Sequence, residues 1–439
     1  MSDYLPQEVL IKILARLPPV SLIKFRCVSK SWNLLISSPF FISMQTEQAI
    51  LSQPVDAVTE QIVVRRYSKA QNSEVYTVHI NNEEFPDDKN IKIEYPFRDS
   101  TRFYYRIVGS CNGVLCLSDD LFGQADSTLL WNPVIKRKVK LPVPQATLDT
   151  MGPYMFVLGF GFDVENNDYK VVRMAYVQGD YGYLVPPKVE VYALSIGNWR
   201  EFSGEVPVNC VVEYFWSEVL ISGRVHWVAY RNMGMQEKVE NLIMVFNLST
   251  EVFDEMQLPS ALENELPINL NAAILARSLA VIQYDERVWS KSCCIWVMKK
   301  YGDRESWSKQ YNIEVDGGLG MILGFRPNGD VLLTARNRGL VSYNPVTGQD
   351  RDLGIFGTKD SFYVGTYVES LRCLLREKKR EKGSVVIPKL KVMRVRVNVN
   401  LWLKMMKINM VMLRRVSFGC NLVCASISLC CLSVHLCNS

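Results

Sequence analysis

Three histidines, His79, His226 and His435, serve a chain of 439 residues, so a reaction that needs a base poised near neutral pH has few groups to draw on. His226 stands between Val225 and Trp227 in an apolar run and His79 in an alternating one; both are expected to be satisfied structural side chains. Twelve cysteines could supply a nucleophile or a metal set. Their spacing argues otherwise: Cys111 and Cys116 have no second pair suitably placed, and Cys293 and Cys294 are adjacent in an apolar run, which suits buried thiols. Asp163 with Asp168, and Asp119 with Asp120, are the carboxylate pairs to consider for acid and base work. Each set lies in a polar stretch with no evident partner, so solvated loop acids are expected. Gly159-Phe160-Gly161 and Gly317-Gly318-Leu319-Gly320 would cradle phosphate only before a Lys-Ser/Thr pair and a helix. Neither has them, and both are read as turns. Asn247-Leu248-Ser249 has the form of a glycosylation sequon and is likewise read as a turn. No catalytic residue, metal or cofactor is expected, and the chain is read as a non-enzyme.

At 48% apolar residues the chain can bury a large core. Its formal charge of +5 invites a nucleic-acid reading. The segment from Arg376 onward carries 13 Lys/Arg against two Glu, a local +11, so the first 375 residues carry −6. That body has no basic stripe interleaved with aromatics, and no nucleic-acid partner is expected. The chain opens without a charged-then-apolar leader, so a reducing compartment, cytoplasmic or nuclear, is expected.

The first forty residues predict three short helices. Pro6 and Glu8 suit a first turn, and Val9, Leu10, Ile13, Leu14 and Leu17 then share one face until Pro18-Pro19. Ser21 is expected to cap a second helix through Leu22, Ile23 and Phe25, and Ser29 a third through Trp32, Leu34, Leu35 and Ile36, ended by Ser37-Ser38-Pro39. So small a unit has more apolar surface than it can bury alone.

From about Tyr67 to Tyr367 short apolar runs are broken by Gly, Asn, Asp and Pro, which is an all-β pattern. One phrase returns: Trp131-Asn132-Pro133 leads to Leu141-Pro142, Phe246-Asn247-Leu248 to Leu258-Pro259, and Tyr343-Asn344-Pro345 to Asp352-Leu353. Weaker copies surround Asn198-Trp199 and Ser306-Trp307, and Gly109, Gly223 and Gly329 open preceding strands. Each phrase is a β-hairpin with Asn at the turn. Their spacing fits propeller blades of about fifty residues, roughly six in all. A large β-sandwich is the alternative, and it would carry no period.

The segment LPQEVLIKILARLPPVSLIKFRCVSKSWNLLISSPFF resembles an F-box, and the phrases GSCNGVLCL, LLWNPVIKRKVKLP, GRVHWV, VFNLSTEVFDEMQLP and LVSYNPVTGQDRDLGI, in that order and closed by YVESL, resemble the F-box associated domain of a large plant family related to kelch-type propellers. The resemblance implies an α+β multidomain chain: an F-box at 1–42, a linker at 43–64, an all-β, propeller-like substrate-binding domain at 65–375, and a basic, Cys-rich tail at 376–439 that is expected to be disordered. It further implies a substrate-recognition subunit of a Skp-cullin-F-box ubiquitin ligase. The Skp adaptor, and through it a cullin-RING ligase, would be the partners, with an unidentified protein substrate. Carried over from the resemblance, the adaptor contacts are Leu5, Pro6, Val9, Leu10, Ile13, Leu14, Leu17, Leu22, Phe25 and Trp32, some of which must instead hold the helices together. The uncharged stretch Val416 to Ser439 has the length of a membrane span, but its serines, Asn421 and His435 argue against one. An adaptor-independent interaction scaffold is the alternative function.

Overall fold

The computed structural model describes residues 6–51, 61–83, 85–86, 91–93, 105–119, 127–152, 154–179, 182–212, 218–232, 239–285, 290–336, 338–358, 361–372 and 374. Leu5, His435 and the 376–439 tail of the sequence reading lie outside them. Four helices, one more than expected, occupy the N-terminal segment: α1 (Gln7–Ala15), α2 (Pro19–Phe25), α3 (Lys30–Ile36) and α4 (Pro39–Leu51). In α1 the first free amides, those of Val9 and Leu10, donate to Pro6 O at 3.0 and 3.1 Å. Ser21 does not cap α2; Pro18 precedes it and Pro19 takes its first turn, where a missing N–H costs nothing. Ser29 does cap α3, accepting from the Trp32 amide at 3.1 Å. Pro39 opens α4 rather than only closing α3, and Ser38 Oγ accepts from the Phe41 amide at 3.2 Å. The stretch read as a linker from 43 to 64 therefore contains most of α4 and the start of the first strand.

The rest is a ring of six antiparallel blades. The first contains β1 (Gln61–Ser68), β2 (Ser73–Ile80) and β3 (Ile91–Ile93); the second β4 (Arg106–Cys111), β5 (Val114–Ser118), β6 (Thr128–Asn132) and β7 (Arg137–Lys140). A single-turn helix, α5 (Leu148–Met151), leads to the third: β8 (Tyr154–Asp163), β9 (Asp168–Gly179), β10 (Gly182–Tyr183), β11 (Lys188–Ala193) and β12 (Asn198–Glu201). The fourth has β13 (Cys210–Val212) and β14 (Val219–Ile221) sharing the inner position, then β15 (Arg224–Asn232), β16 (Val239–Asn247) and β17 (Val252–Gln257). β18 (Leu270–Leu275), β19 (Ser278–Tyr284), β20 (Ser290–Met298) and the first half of β21 (Trp307–Phe325) make the fifth. The second half of β21 begins the sixth, with β22 (Val331–Ala335), β23 (Gly339–Tyr343) and β24 (Asp350–Ile355). Finally β25 (Tyr363–Thr366) returns to pair with β1, giving the first blade the order β25-β1-β2-β3.

Contacts near the centre close the circle, with β15 serving for the fourth blade, whose inner strands are short: β4 lies on β8, β8 on β15, β15 on β18, β18 on β21, β21 on β25, and β25 on β4. Every gap between blades is filled by an apolar cluster. Tyr76 meets Trp131 between the first and second, Leu130 joins Phe160 between the second and third, and Val172 joins Trp227 between the third and fourth. Leu258 and Val281, Ile313 and Leu333, and Ile355 and Val64 complete the round. The repeated phrase has a common geometry. Asn132, Asn247 and Asn344 each turn their Oδ1 onto the amides two and three residues on, at 2.9–3.4 Å, the Asx-turn that fixes a hairpin. The hairpin tryptophans reach back one blade: Trp199 Nε1 donates to Pro142 O at 2.8 Å and Trp307 Nε1 to Gln257 O at 3.1 Å.

Two glycine clusters read as turns are strand interiors. Gly159 lies within β8, where a Cβ would come within 2.5 Å of Trp227 Cζ2. Gly317 and Gly318, at φ +83° and +104°, lie where β21 leaves one sheet for the next. Only glycine takes that backbone freely.

Candidate functional site

Burial sorts the ten N-terminal residues singled out from the sequence. Leu10, Leu14, Leu22 and Trp32 are buried; Ile13, Leu17 and Phe25 are half-buried; Pro6 and Val9 are exposed. The Phe25 ring meets Trp32 edge-on at 5.6 Å, which holds α2 to α3. Beyond those ten, a further apolar set stands exposed that the sequence reading did not offer as contacts: Val20, Val28, Leu34, Phe40, Ile50 and Leu51, with Leu34, Phe40 and Leu51 at least 67% exposed. Val28 lies between α2 and α3, and α4, which carries Phe40, Ile50 and Leu51, has no apolar stripe by which periodicity could sort them. Large apolar side chains so dense on a short helical segment are a surface that another chain can cover.

The two ends of the ring differ. At one end the chain turns back in tight hairpins, β4 to β5, β8 to β9, β11 to β12 and β14 to β15 among them, each within two to four residues. The opposite end carries the longer connections, such as those from β5 to β6 and from β17 to β18. The chain enters the ring at the tight-turn end, because Gln61 opens β1 there and its carbonyl accepts from the Tyr367 amide at 2.8 Å. After β25 the chain straps the same end. Ser370 Oγ donates to Asn112 O at 2.6 Å, Asn132 Nδ2 donates to the carbonyls of Ser370 and Arg372 at 3.1 and 3.0 Å, and Arg372 stacks on Phe162. Among the described residues, the strap and the chain's entry both lie at the tight-turn end.

The titratable residues weighed for catalysis are structural. Asp163 and Asp168 are buried, not solvated as expected. Burial alone would raise the Asp163 carboxyl, but the Lys170 ammonium at 2.7 Å, with Asn166 and Ser249, holds it at about 2. Lys170 also pairs with Glu251 and donates to Leu248 O, which clasps the third blade to the fourth. Asp168 takes the Ser195 hydroxyl at 2.5 Å, and Asp119, also buried, takes the Ser127 amide at 3.2 Å; Asp120 lies outside the described residues. His226 is fully buried, with Nδ1 on Val219 O at 3.3 Å and Nε2 on Tyr301 Oη at 2.7 Å, and burial lowers it to about 4. His79 is lowered likewise, by burial first and then by the Arg66 charge. Burial pushes the Cys111 thiol up to about 12, and the cysteines among the described residues are free. Among those residues no three His, Cys, Asp or Glu side chains gather as a metal site, and no helix is long and apolar enough to cross a membrane.

Glu218, which the sequence did not flag, is buried where the inner strands converge. Both its oxygens accept from the Phe160 amide, at 3.0 and 3.1 Å. Burial raises its carboxyl well above the usual range, against the pull of Arg106.

Comparison with known proteins agrees with this architecture. The family model of the F-box associated beta propeller domain matches residues 67–325, and that of the F-box domain matches residues 3–43. Among curated proteins of Arabidopsis thaliana, F-box protein At3g07870 is 26% identical over 414 residues, covering 84% of this chain and 92% of its own. F-box protein CPR1 is 26% identical over 391 residues (84% and 88%) and the F-box/kelch-repeat protein At3g23880 27% over 361 (79% and 89%). With an N-terminal helical segment in the F-box position and a closed six-bladed ring behind it, the chain belongs to the F-box proteins that carry an F-box associated β-propeller domain.

Proposed function

We propose that the protein is the substrate-recognition subunit of a Skp-cullin-F-box ubiquitin ligase, acting in the cytoplasm or nucleus, with no chemistry of its own. One observation carries the reading: a short helical segment in the F-box position leaves Pro6, Val9, Leu34, Phe40 and their neighbours exposed, while the ring behind it is sealed. The helices would seat on the Skp adaptor, with Leu5, Pro6, Val9, Ile13, Leu17 and Phe25 supplying contacts and Leu10, Leu14, Leu22 and Trp32 the support beneath. The ring would hold the target protein, its long-loop end being free of the strap and of the chain's entry point. Rate would come from proximity: a tethered target presents its lysines to the charged conjugating enzyme at high effective concentration.

The test is co-purification of the full chain with a plant Skp adaptor and cullin, beside a chain lacking residues 1–42. Capture by the full chain alone supports the receptor reading. If neither chain captures the adaptor, the protein is instead an adaptor-independent scaffold. An interface of this kind rests on a few apolar anchors, so Pro6→Ala combined with Val9→Asp is expected to weaken capture by about 2–4 kcal/mol.

A further inference from the structure

At the long-loop end the sixth blade hands the chain to the first through the connection between β24 and β25, and Phe356 is the first residue of that connection. Its side chain is 57% exposed, whereas Phe362 at the far end of the same connection is buried. The backbone that carries Phe356 is tied to the end of β1. Arg66 donates from Nη1 to Phe356 O at 2.6 Å, and the Thr358 amide donates to Tyr67 O at 3.1 Å. Ser361 Oγ accepts from the Tyr67 amide at 3.1 Å, and Ser361 O accepts from Arg65 Nη1 at 2.6 Å. A Cβ at Gly357 would lie 2.9 Å from the Phe362 ring and 3.1 Å from Arg66 Cβ, so the connection passes tightly over β1. An exposed aromatic ring is thus presented from a fixed backbone.

Arg66 beside it carries a charge that no carboxylate answers. Among the described residues its guanidinium makes one hydrogen bond, to the neutral Phe356 carbonyl, and no ion pair, although it has five N–H donors. Glu74, the acid of the neighbouring strand, is taken by Arg65 through two bonds at 2.6 and 2.7 Å. Arg66 is half-buried, and burial lowers its guanidinium from the ordinary range. Part of its hydration is already lost, so a carboxylate arriving there costs less desolvation than one pairing with a fully exposed arginine.

We propose that Arg66 and Phe356 form a subsite for an aspartate or glutamate of the captured protein that has an apolar neighbour, which rests on the receptor reading for the occupant's source. The carboxylate pairs with the Arg66 guanidinium, whose planar fork suits it, and the apolar neighbour packs on the Phe356 ring. Arginine and aromatic side chains are the types on which binding energy concentrates. A basic residue in the same place would meet a like charge, and an acid with no apolar neighbour would leave the ring in water. The junction of the sixth and first blades would then select for an acidic, partly apolar segment of the target.

The full chain is titrated by isothermal calorimetry at fixed ionic strength with three peptides: acetyl-Gly-Glu-Phe-Glu-Gly amide, its alanine form acetyl-Gly-Glu-Ala-Glu-Gly amide and its lysine form acetyl-Gly-Lys-Phe-Lys-Gly amide. The first is expected to bind, the alanine form to bind roughly fivefold more weakly, and the lysine form not to bind. Arg66→Gln should weaken the first peptide roughly tenfold, the scale of losing a charge pair at a partly desolvated site, whereas Arg137→Gln, on the exposed outer strand of the second blade, should leave it unchanged. Should Arg66→Gln melt early through loss of its bond to Phe356 O, Phe356→Ala keeps that carbonyl and carries the same test: the first peptide weakens roughly fivefold and the alanine form is unaffected. No binding of the first peptide, equal weakening by Arg137→Gln, or binding of the lysine form would overturn the proposal. Adaptor co-purification is read separately: failure of peptide binding with the adaptor still captured sinks this inference alone, and failure to capture the adaptor sinks the receptor reading.

Discussion

The helical segment and the β ring treat apolar surface in opposite ways. Within residues 6–51 seven large apolar side chains stand exposed, Val9, Val20, Val28, Leu34, Phe40, Ile50 and Leu51, beside a buried set that includes Leu22, Trp32, Ile36 and Phe41. The ring, several times longer, exposes only about twice as many among its described residues and buries a cluster at every blade junction. A helix has only one inward stripe, and so few turns cannot cover one another. A sheet closed into a ring covers both of its faces with its neighbours. Among the described residues, the first region leaves apolar surface uncovered and the second covers most of its own.

The contrast can be broken most severely inside the ring. Trp227→Ala removes an indole that fills the approach to Gly159 and donates to Leu158 O at 3.2 Å. A loss of about 3–5 kcal/mol is expected from denaturant unfolding, the usual cost of such a truncation in a packed core; a loss below 1 kcal/mol would mean the junctions are loose. A smaller effect follows from pH. His226 sits near 4 in the folded ring against its ordinary 6.5, so its folded form binds fewer protons than the unfolded chain. Its contribution is complete above about pH 6.5 and drains away as pH falls toward 4, by about 3 kcal/mol at most. His226→Gln should flatten the melting temperature between pH 6.5 and 4, and an unchanged slope would place the acid sensitivity elsewhere. Smallest of all is Leu34→Ser with Phe40→Ser on the helices. Because these side chains are already in water, stability should stay within about 0.5 kcal/mol, while adaptor capture falls; a marked drop in melting temperature would show that the exposed set has an internal partner.

How much of this could be read from residues alone depended on the range of the forces involved. The hairpins were legible, since an Asn-Pro or Asn-Leu turn is a local device and Asn132, Asn247 and Asn344 all perform it. So was the number of blades, although β21 hides a boundary by running through two of them. Asp163 was misread because its polar neighbourhood in sequence says nothing of Lys170, on the paired strand, and Ser249, in the turn between β16 and β17, which come together on it. Gly159-Phe160-Gly161 looked like a turn because what its glycines make room for, Trp227 at Gly159 and Leu220 with Leu248 at Gly161, lies more than fifty positions away in the next blade. Pro39 was taken only as a stop, though proline serves equally to start a helix.

The pairing of β25 with β1 makes the first sheet also the last to be finished. As the chain leaves the ribosome, β1 and β2 emerge early with a bare strand edge, and the inner position beside β1 stays vacant until residues 363–366 follow some three hundred positions later. An open edge of that kind is a template for unwanted pairing. A nascent or truncated chain that stops short of Tyr363 would keep four of the six contacts that close the circle and lose the two that β25 makes with β21 and β4, which makes the integrity of the ring a report on whether translation reached its C-terminal strand.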